Sequence, residues 1–179
     1  MEKILVNDRW FKPYLGAGEI SRAIGRMAER MNVELREQNP LFVVVLNGAF
    51  IFAADLMRQL DFPCRISFVR LASYDGTNST QQIKNLIGLH EDLAGENVVI
   101  VEDIVDTGHT LEYLLQHMEQ HQPASVRIAT LLFKPAAFVH DFKIDYVALE
   151  IPPDFIVGYG LDYDGHGRNL PDIYQIVND

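Results

Sequence analysis

Val98-Val99-Ile100-Val101-Glu102-Asp103-Ile104-Val105-Asp106-Thr107-Gly108-His109-Thr110 is the stretch on which the reading of this chain turns. Four β-branched residues in a row suit a strand buried on both faces. Two adjacent carboxylates end it, and a third follows three residues later. Thr-Gly-x-Thr comes next, and then Leu111, Leu114, Leu115 and Met118 recur at helical spacing. In open α/β sheets ligands sit beyond the carboxyl ends of the strands. The helix opening near Thr110 presents free N–H groups at that place, which suit a phosphate. Gly108 lets the backbone come close to the anion, and Thr107 and Thr110 add hydroxyl donors. Carboxylates beside a phosphate site make sense if they face sugar hydroxyls or a divalent metal. A helix-capping turn would account for Asp106-Thr107-Gly108 alone, but not for the whole string.

Outward from this segment the chain alternates strand and helix patterns. Ile20, Ile24, Met27 and Met31 mark a helix within residues 18–38, and Leu41–Leu46 reads as a second buried strand. Asn47-Gly48-Ala49 breaks it, and residues 50–60 return to helical spacing. Residues 65–71 alternate as a strand, and the polar stretch 73–90 reads as a long loop. Strands follow at 126–133, ended by Lys134-Pro135, at 144–149 and, shorter, at 155–159. Alternation of this kind predicts an α/β fold, a mainly parallel sheet flanked by helices. With 179 residues the expectation is one domain. Its core would span about 18–159, and residues 1–17 and 160–179 would form a small hood.

Composition narrows the function. The net charge is −10, with 11 basic and 9 acidic residues in positions 1–90 but 4 and 16 in positions 91–179. A general nucleic-acid binder needs a basic face, so none is expected. No apolar run approaches the ~20 residues of a membrane span, and no signal-peptide pattern opens the chain. Cys64 is the sole cysteine, which excludes an intrachain disulfide and a cysteine-based zinc cluster. The cytoplasm is the expected location. There is no Gly-x-x-x-x-Gly-Lys-Ser/Thr loop, no His-Glu-x-x-His and no Gly-x-Ser-x-Gly. Gly16-Ala17-Gly18 and Gly158-Tyr159-Gly160 lack the third glycine of a dinucleotide fingerprint. The six histidines are scattered and read as surface or satisfied buried residues.

The thirteen-residue string closely resembles the phosphoribosyl-pyrophosphate signature of the type I phosphoribosyltransferases. Leu46-Asn47-Gly48, Arg70-Leu71-Ala72-Ser73-Tyr74, Leu131-Leu132-Phe133-Lys134-Pro135 and Phe155-Ile156-Val157-Gly158-Tyr159-Gly160-Leu161-Asp162-Tyr163 follow in the order seen in hypoxanthine–guanine phosphoribosyltransferases. The similarity runs from about residue 18 to 177.

The resemblance implies a type I phosphoribosyltransferase fold and a purine-salvage reaction. A 6-oxopurine would join phosphoribosyl pyrophosphate, giving a nucleoside monophosphate and pyrophosphate, with Mg2+ as cofactor. It makes Asp106 the general base near purine N7. Glu102 and Asp103 would hold the ribose hydroxyls, directly or through magnesium, and residues Asp106, Thr107, Gly108, His109 and Thr110 would cradle the 5′-phosphate. Asn47, Gly48 and Arg168 would meet pyrophosphate. Lys134 would donate to the 6-oxo group, Phe155 would stack on the purine and the Ile156 backbone would read its edge. Asp162, also counted among the purine-binding residues, would ligate a second magnesium near pyrophosphate, so the implied metal set is Glu102, Asp103 and Asp162. Ser73 and Tyr74 would belong to a lid that excludes water. A homodimer or homotetramer is the expected assembly.

Two features depart from the family's usual pattern. His109 stands where the family usually has lysine or another residue, so its backbone N–H rather than its ring is expected to serve. Asn47 replaces the basic residue common before Gly48, and the resemblance implies a cis Leu46–Asn47 peptide. The alternatives are a non-catalytic RNA-binding regulator of the same fold, or a phosphoribosyltransferase for another base such as xanthine.

Overall fold

The computed structural model describes residues 2–73 and 83–177. Its main body is a six-stranded sheet. Five strands are parallel: β3 (Leu41–Leu46), β4 (Arg65–Ser73), β6 (Asn97–Val105), β7 (Ser125–Phe133) and β8 (Tyr146–Glu150). The sixth, β5 (Ile83–Ile87), pairs antiparallel with β4, and the spatial order is β5-β4-β3-β6-β7-β8. The expected α/β architecture is therefore present, with β6 held between β3 and β7.

The apolar run of β3 explains how the layers form. Side chains alternate across a strand, so Phe42 and Val44 face one cluster while Leu41, Val43 and Val45 face the other. The first face is covered by α1 (Ala17–Glu34) through Ile20, Ile24, Met27 and Met31, and by α2 (Phe50–Met57) through Phe52 and Leu56. The second is covered by α3 (His109–Glu119) through Leu111, Leu114 and Met118. Each such side chain, fully buried, is worth about 1.5–3 kcal/mol.

The chain ends build a second sheet. The strands β1 (Ile4–Val6), β2 (Arg9–Leu15), β9 (Ile156–Val157) and β10 (Ile173–Ile176) form it in the antiparallel order β1-β2-β10-β9. Val6, Phe11 and Val157 are its buried centre. Asp172 ties this sheet to the main body, since its Oδ1 accepts from the Ala17 N–H at 2.7 Å, at the start of α1.

Residues 73–90 read mainly as a long loop in the sequence, and within that stretch the structure adds strand. β4 runs on to Ser73, and Ile83–Ile87 forms β5. The edge of β4 offers a row of backbone groups, and a short segment of modest apolar content suffices to pair with them. Tyr74 lies outside the described residues.

Candidate active site

β6 carries the expected carboxylates to the carboxyl edge of the sheet. Pairing with β3 stops at Val44–Val101, whereas pairing with β7 continues to Val105–Phe133. The strand thus leaves Glu102 and Asp103 beside the end of β3. A cavity of about 270 Å³ opens there, lined by residues 102–108 with Thr110 and Leu111.

Gly108 starts α3 with φ +91° and no side-chain cap. A Cβ on it would lie 2.5 Å from the Phe138 ring and 2.8 Å from that of His140. Glycine is required here both for its φ and for the space. The first-turn amides of α3 are left facing the cavity end, where the helix dipole favours an anion. The loop is pinned from outside, because the Val139 N–H donates to the Thr107 carbonyl at 3.2 Å.

Lys134 follows the last residue of β7, and its N–H donates to the Val105 carbonyl at 2.9 Å. This one further backbone bond places the ammonium beside the loop. Lys134 Nζ lies 2.7 Å from Asp106 Oδ2, with the lysine side chain 8% exposed and the aspartate 49%. A nearly buried cation thus holds a carboxylate at the mouth of the site.

Gly48 brings the β3 end against β6. A Cβ at this position would sit 1.5 Å from Asp103 Oδ2. The Leu46–Asn47 peptide before it is cis, as the resemblance implies. Gly160, with φ +99°, packs on the same turn, and its Cβ would be 2.1 Å from the Gly48 carbonyl oxygen. The loop after β9 therefore closes on the turn after β3. Its side chains form a second ion pair. Arg168 Nη2 lies 2.6 Å from Asp162 Oδ1, and Arg168 Nη1 donates to the Gly160 carbonyl at 2.7 Å. Tyr159, between Gly158 and Gly160 in the chain, donates to Asp55 of α2. The Asp55–Tyr159 bond was missed from sequence, since nothing marks residues 104 positions apart as partners.

Electrostatics at the strand end are unusual. Burial pushes the Glu102 carboxyl well above the ordinary range, and the neighbouring Asp103 charge adds to this. Asp103 is pushed up to about 6, chiefly by burial, against the stabilising amides of Ile104 and Asp103 itself and the Arg168 charge. Two sunken carboxylates side by side suit a place that receives a cation. Glu102, Asp103 and Asp162 fit magnesium by their hard oxygen donors, and the Gly48 gap leaves Asp103 room beside the cavity. They do not gather their oxygens into one cage among the described residues. Magnesium asks for no such cage, since it keeps waters and shares substrate phosphates.

Phe155 directly precedes β9 of the second sheet, and Ile156 opens that strand. Phe155 is 46% exposed and has its ring 6.3 Å from that of Phe11 and 5.9 Å, edge-on, from that of Tyr163. Ile156 is buried in β9. Ser73 ends β4, on the far side of β3 from β6. His109 begins α3, and its ring meets His140. No sequence periodicity links residues 31 apart, so their approach is a product of the fold.

A mainly parallel sheet thus carries, at the end of β6, two carboxylates and a cavity beside a glycine-started helix. Residues 14–164 match the model of the phosphoribosyl transferase domain, and the chain belongs to the type I phosphoribosyltransferase family. Within it, the chain is 40% identical over 154 residues to a hypoxanthine-guanine phosphoribosyltransferase of Streptococcus pyogenes, covering 86% of each chain. It is 38% identical over 175 residues to that of Mycobacterium bovis, covering 90% of this chain and 87% of the other. A solved hypoxanthine phosphoribosyl transferase of Trypanosoma cruzi superposes with a TM-score of 0.87 at 33% identity, covering 99% and 94% of the two chains.

Proposed function

We propose that this chain is a purine-salvage transferase that moves the phosphoribosyl group of phosphoribosyl pyrophosphate to hypoxanthine, and also to guanine. The observation that carries this reading is the Asp106–Lys134 pair at the mouth of the phosphate loop. The purine loses a proton as its nitrogen bonds to the anomeric carbon, and pyrophosphate leaves with inversion. Asp106 accepts that proton, a role worth roughly 10²–10⁴-fold in rate. Lys134 donates to the 6-oxo group, and an ammonium there disfavours the 6-amino group of adenine.

The amides of residues 107–110 and the Thr107 and Thr110 hydroxyls hold the 5′-phosphate. Glu102 and Asp103 take the ribose hydroxyls, while Asn47, Gly48 and Arg168 meet pyrophosphate. Phe155 stacks on the base, and the Ile156 backbone reads its edge. Ser73 and Tyr74 belong to the segment that excludes water from the activated sugar. Glu102, Asp103 and Asp162, together with substrate oxygens, would hold magnesium, which would supply positive charge for the leaving pyrophosphate.

The chain would work as one domain over residues 1–179, in the cytoplasm, as a homodimer or homotetramer. Among the described residues no helix is long and apolar enough to cross a membrane. The RNA-binding alternative is not favoured, given the net charge of −10 and the enzymes it resembles.

The test is a chromatographic assay for nucleotide, offering hypoxanthine, guanine, xanthine and adenine separately with phosphoribosyl pyrophosphate and magnesium. Inosine and guanosine monophosphates are the expected products. Absence of product from all four bases with folded protein would overturn the reading, and product from xanthine or adenine alone would reassign the base.

A further inference from the structure

On the outer side of the phosphate loop, three side chains come together that the reaction does not use. His109 Nδ1 and His140 Nε2 are 3.0 Å apart, and His140 Nδ1 is 3.4 Å from Glu112 Oε1. One donor atom from each of the three lies within 4.8 Å of the others, and they are the one such trio of His, Cys, Asp or Glu among the described residues. We propose that His109, Glu112 and His140 form a site for a divalent transition metal of the zinc type, separate from the magnesium-binding carboxylates.

The donor chemistry selects the ion. Two imidazoles and one carboxylate suit zinc, whereas magnesium prefers an all-oxygen set. The spacing fits as well. Zinc–nitrogen bonds of about 2.0–2.1 Å in a tetrahedron set neighbouring nitrogens about 3.3 Å apart, so the two rings would part by a few tenths of an ångström and turn until both lone pairs meet at the ion. A hydrogen bond between the facing nitrogens needs a proton on one of them. For zinc to take both lone pairs, that proton would move to the outward nitrogen of the same ring. The Glu112 carboxylate, about half exposed, faces His140 Nδ1 rather than Nε2, so it would swing to the Nε2 side to serve as third ligand, with water as fourth.

The site is built rather than fortuitous on its buried side. The His140 side chain is 13% exposed, stacks on Phe142 with ring centroids 5.3 Å apart and meets Phe138 at 6.0 Å. These contacts hold one ligand fixed before metal arrives. His109 and Glu112 are three residues apart on α3, and so share one face of that helix. Through His140 the ion would also brace Gly108, whose missing side chain leaves room for the His140 ring.

Zinc is titrated calorimetrically into the full chain in millimolar magnesium, which competes at the carboxylates. Wild type is expected to take up one zinc per chain at this site. Glu112→Gln lies on the exposed face of α3 and should weaken it by at least about tenfold, while His140→Gln should abolish it. Thermal melts without zinc establish that each variant is folded. His117 near the end of α3 and His121 in the turn just beyond it offer a competing pair, with rings 5.3 Å apart, so His121→Gln serves as control and should leave binding intact. The proposal is overturned if wild type binds no zinc, if Glu112→Gln binds as tightly as wild type, or if His121→Gln is the change that removes it. Because uptake is read without turnover, the outcome is independent of the transferase assay.

Discussion

Asp106 and Lys134, 28 positions apart, are joined by a 2.7 Å ion pair in which the ammonium is nearly buried and the carboxylate half open to solvent. The asymmetry matters for how each would respond to substitution. Asp106→Asn removes the proton acceptor and leaves a sunken cation without its counter-charge. We expect kcat to fall by roughly 10²–10⁴-fold with a smaller change in KM for phosphoribosyl pyrophosphate. Steady-state kinetics at saturating hypoxanthine would show this. A variant retaining near wild-type kcat would remove Asp106 from the role of base.

Lys134→Gln tests the other partner. It keeps a donor but loses the charge, and hydrogen bonds to charged groups are worth about 1.5–3 kcal/mol. KM for hypoxanthine should rise by about one to two orders of magnitude on that energy. Discrimination against adenine should narrow, since the amide also offers an acceptor. Competition between the two bases in one reaction reads the ratio directly.

Much of this arrangement was legible in the chain. The run 98–110 placed a buried strand, its terminal carboxylates and a helix start in the order observed, because period and end signals are local properties. The resemblance gives Asp106 and Lys134 separate roles at the purine, and nothing in the sequence marks their ion pair, which depends on β6 and β7 lying side by side. β5 escaped because five residues in a polar stretch carry too little periodicity to stand out from loop. The hood was expected from the two flanking segments, but its pairing of β2 with β10 joins the chain ends and has no local mark. His109 and His140 show the same limit at the level of side chains.

Gly160→Ala probes the closure of the hood loop on the turn after β3. At φ +99° a non-glycine residue is strained, typically by about 1–3 kcal/mol, and the new Cβ would press within 2.1 Å of the Gly48 carbonyl oxygen. We expect a lower Tm and a raised KM for phosphoribosyl pyrophosphate, because Asp162 and Arg168 ride on the same loop. An unchanged Tm would mean that this loop is free to move away from Gly48.

Arg168→Lys separates charge from shape. The guanidinium reaches Asp162 and the Gly160 carbonyl at once, which a single ammonium cannot reproduce with the same planar fork. The loop should lose its fixed form while the site keeps its net charge. KM for phosphoribosyl pyrophosphate should rise several-fold, with the KM for hypoxanthine nearly unchanged. Equal rises in both would place Arg168 in the folding of the loop as a whole.

Glu34 gives a prediction about stability that does not involve the site. The Tyr146 hydroxyl donates to Glu34 Oε2 at 2.8 Å and, with help from Arg30, holds this carboxyl below its ordinary value of 4.5. A group with a depressed folded pKa stabilises the protein fully above its unfolded pKa, and that contribution fades as the pH falls through the folded value. The unfolded state binds the proton more readily, so stability rises with pH across this window. Tyr146→Phe removes the largest cause of the shift. The gap in Tm between wild type and Tyr146→Phe should therefore be widest near neutrality and narrow below about pH 4. Melting curves across that range check it, and a gap that stays constant with pH would show that the hydroxyl contributes through packing alone.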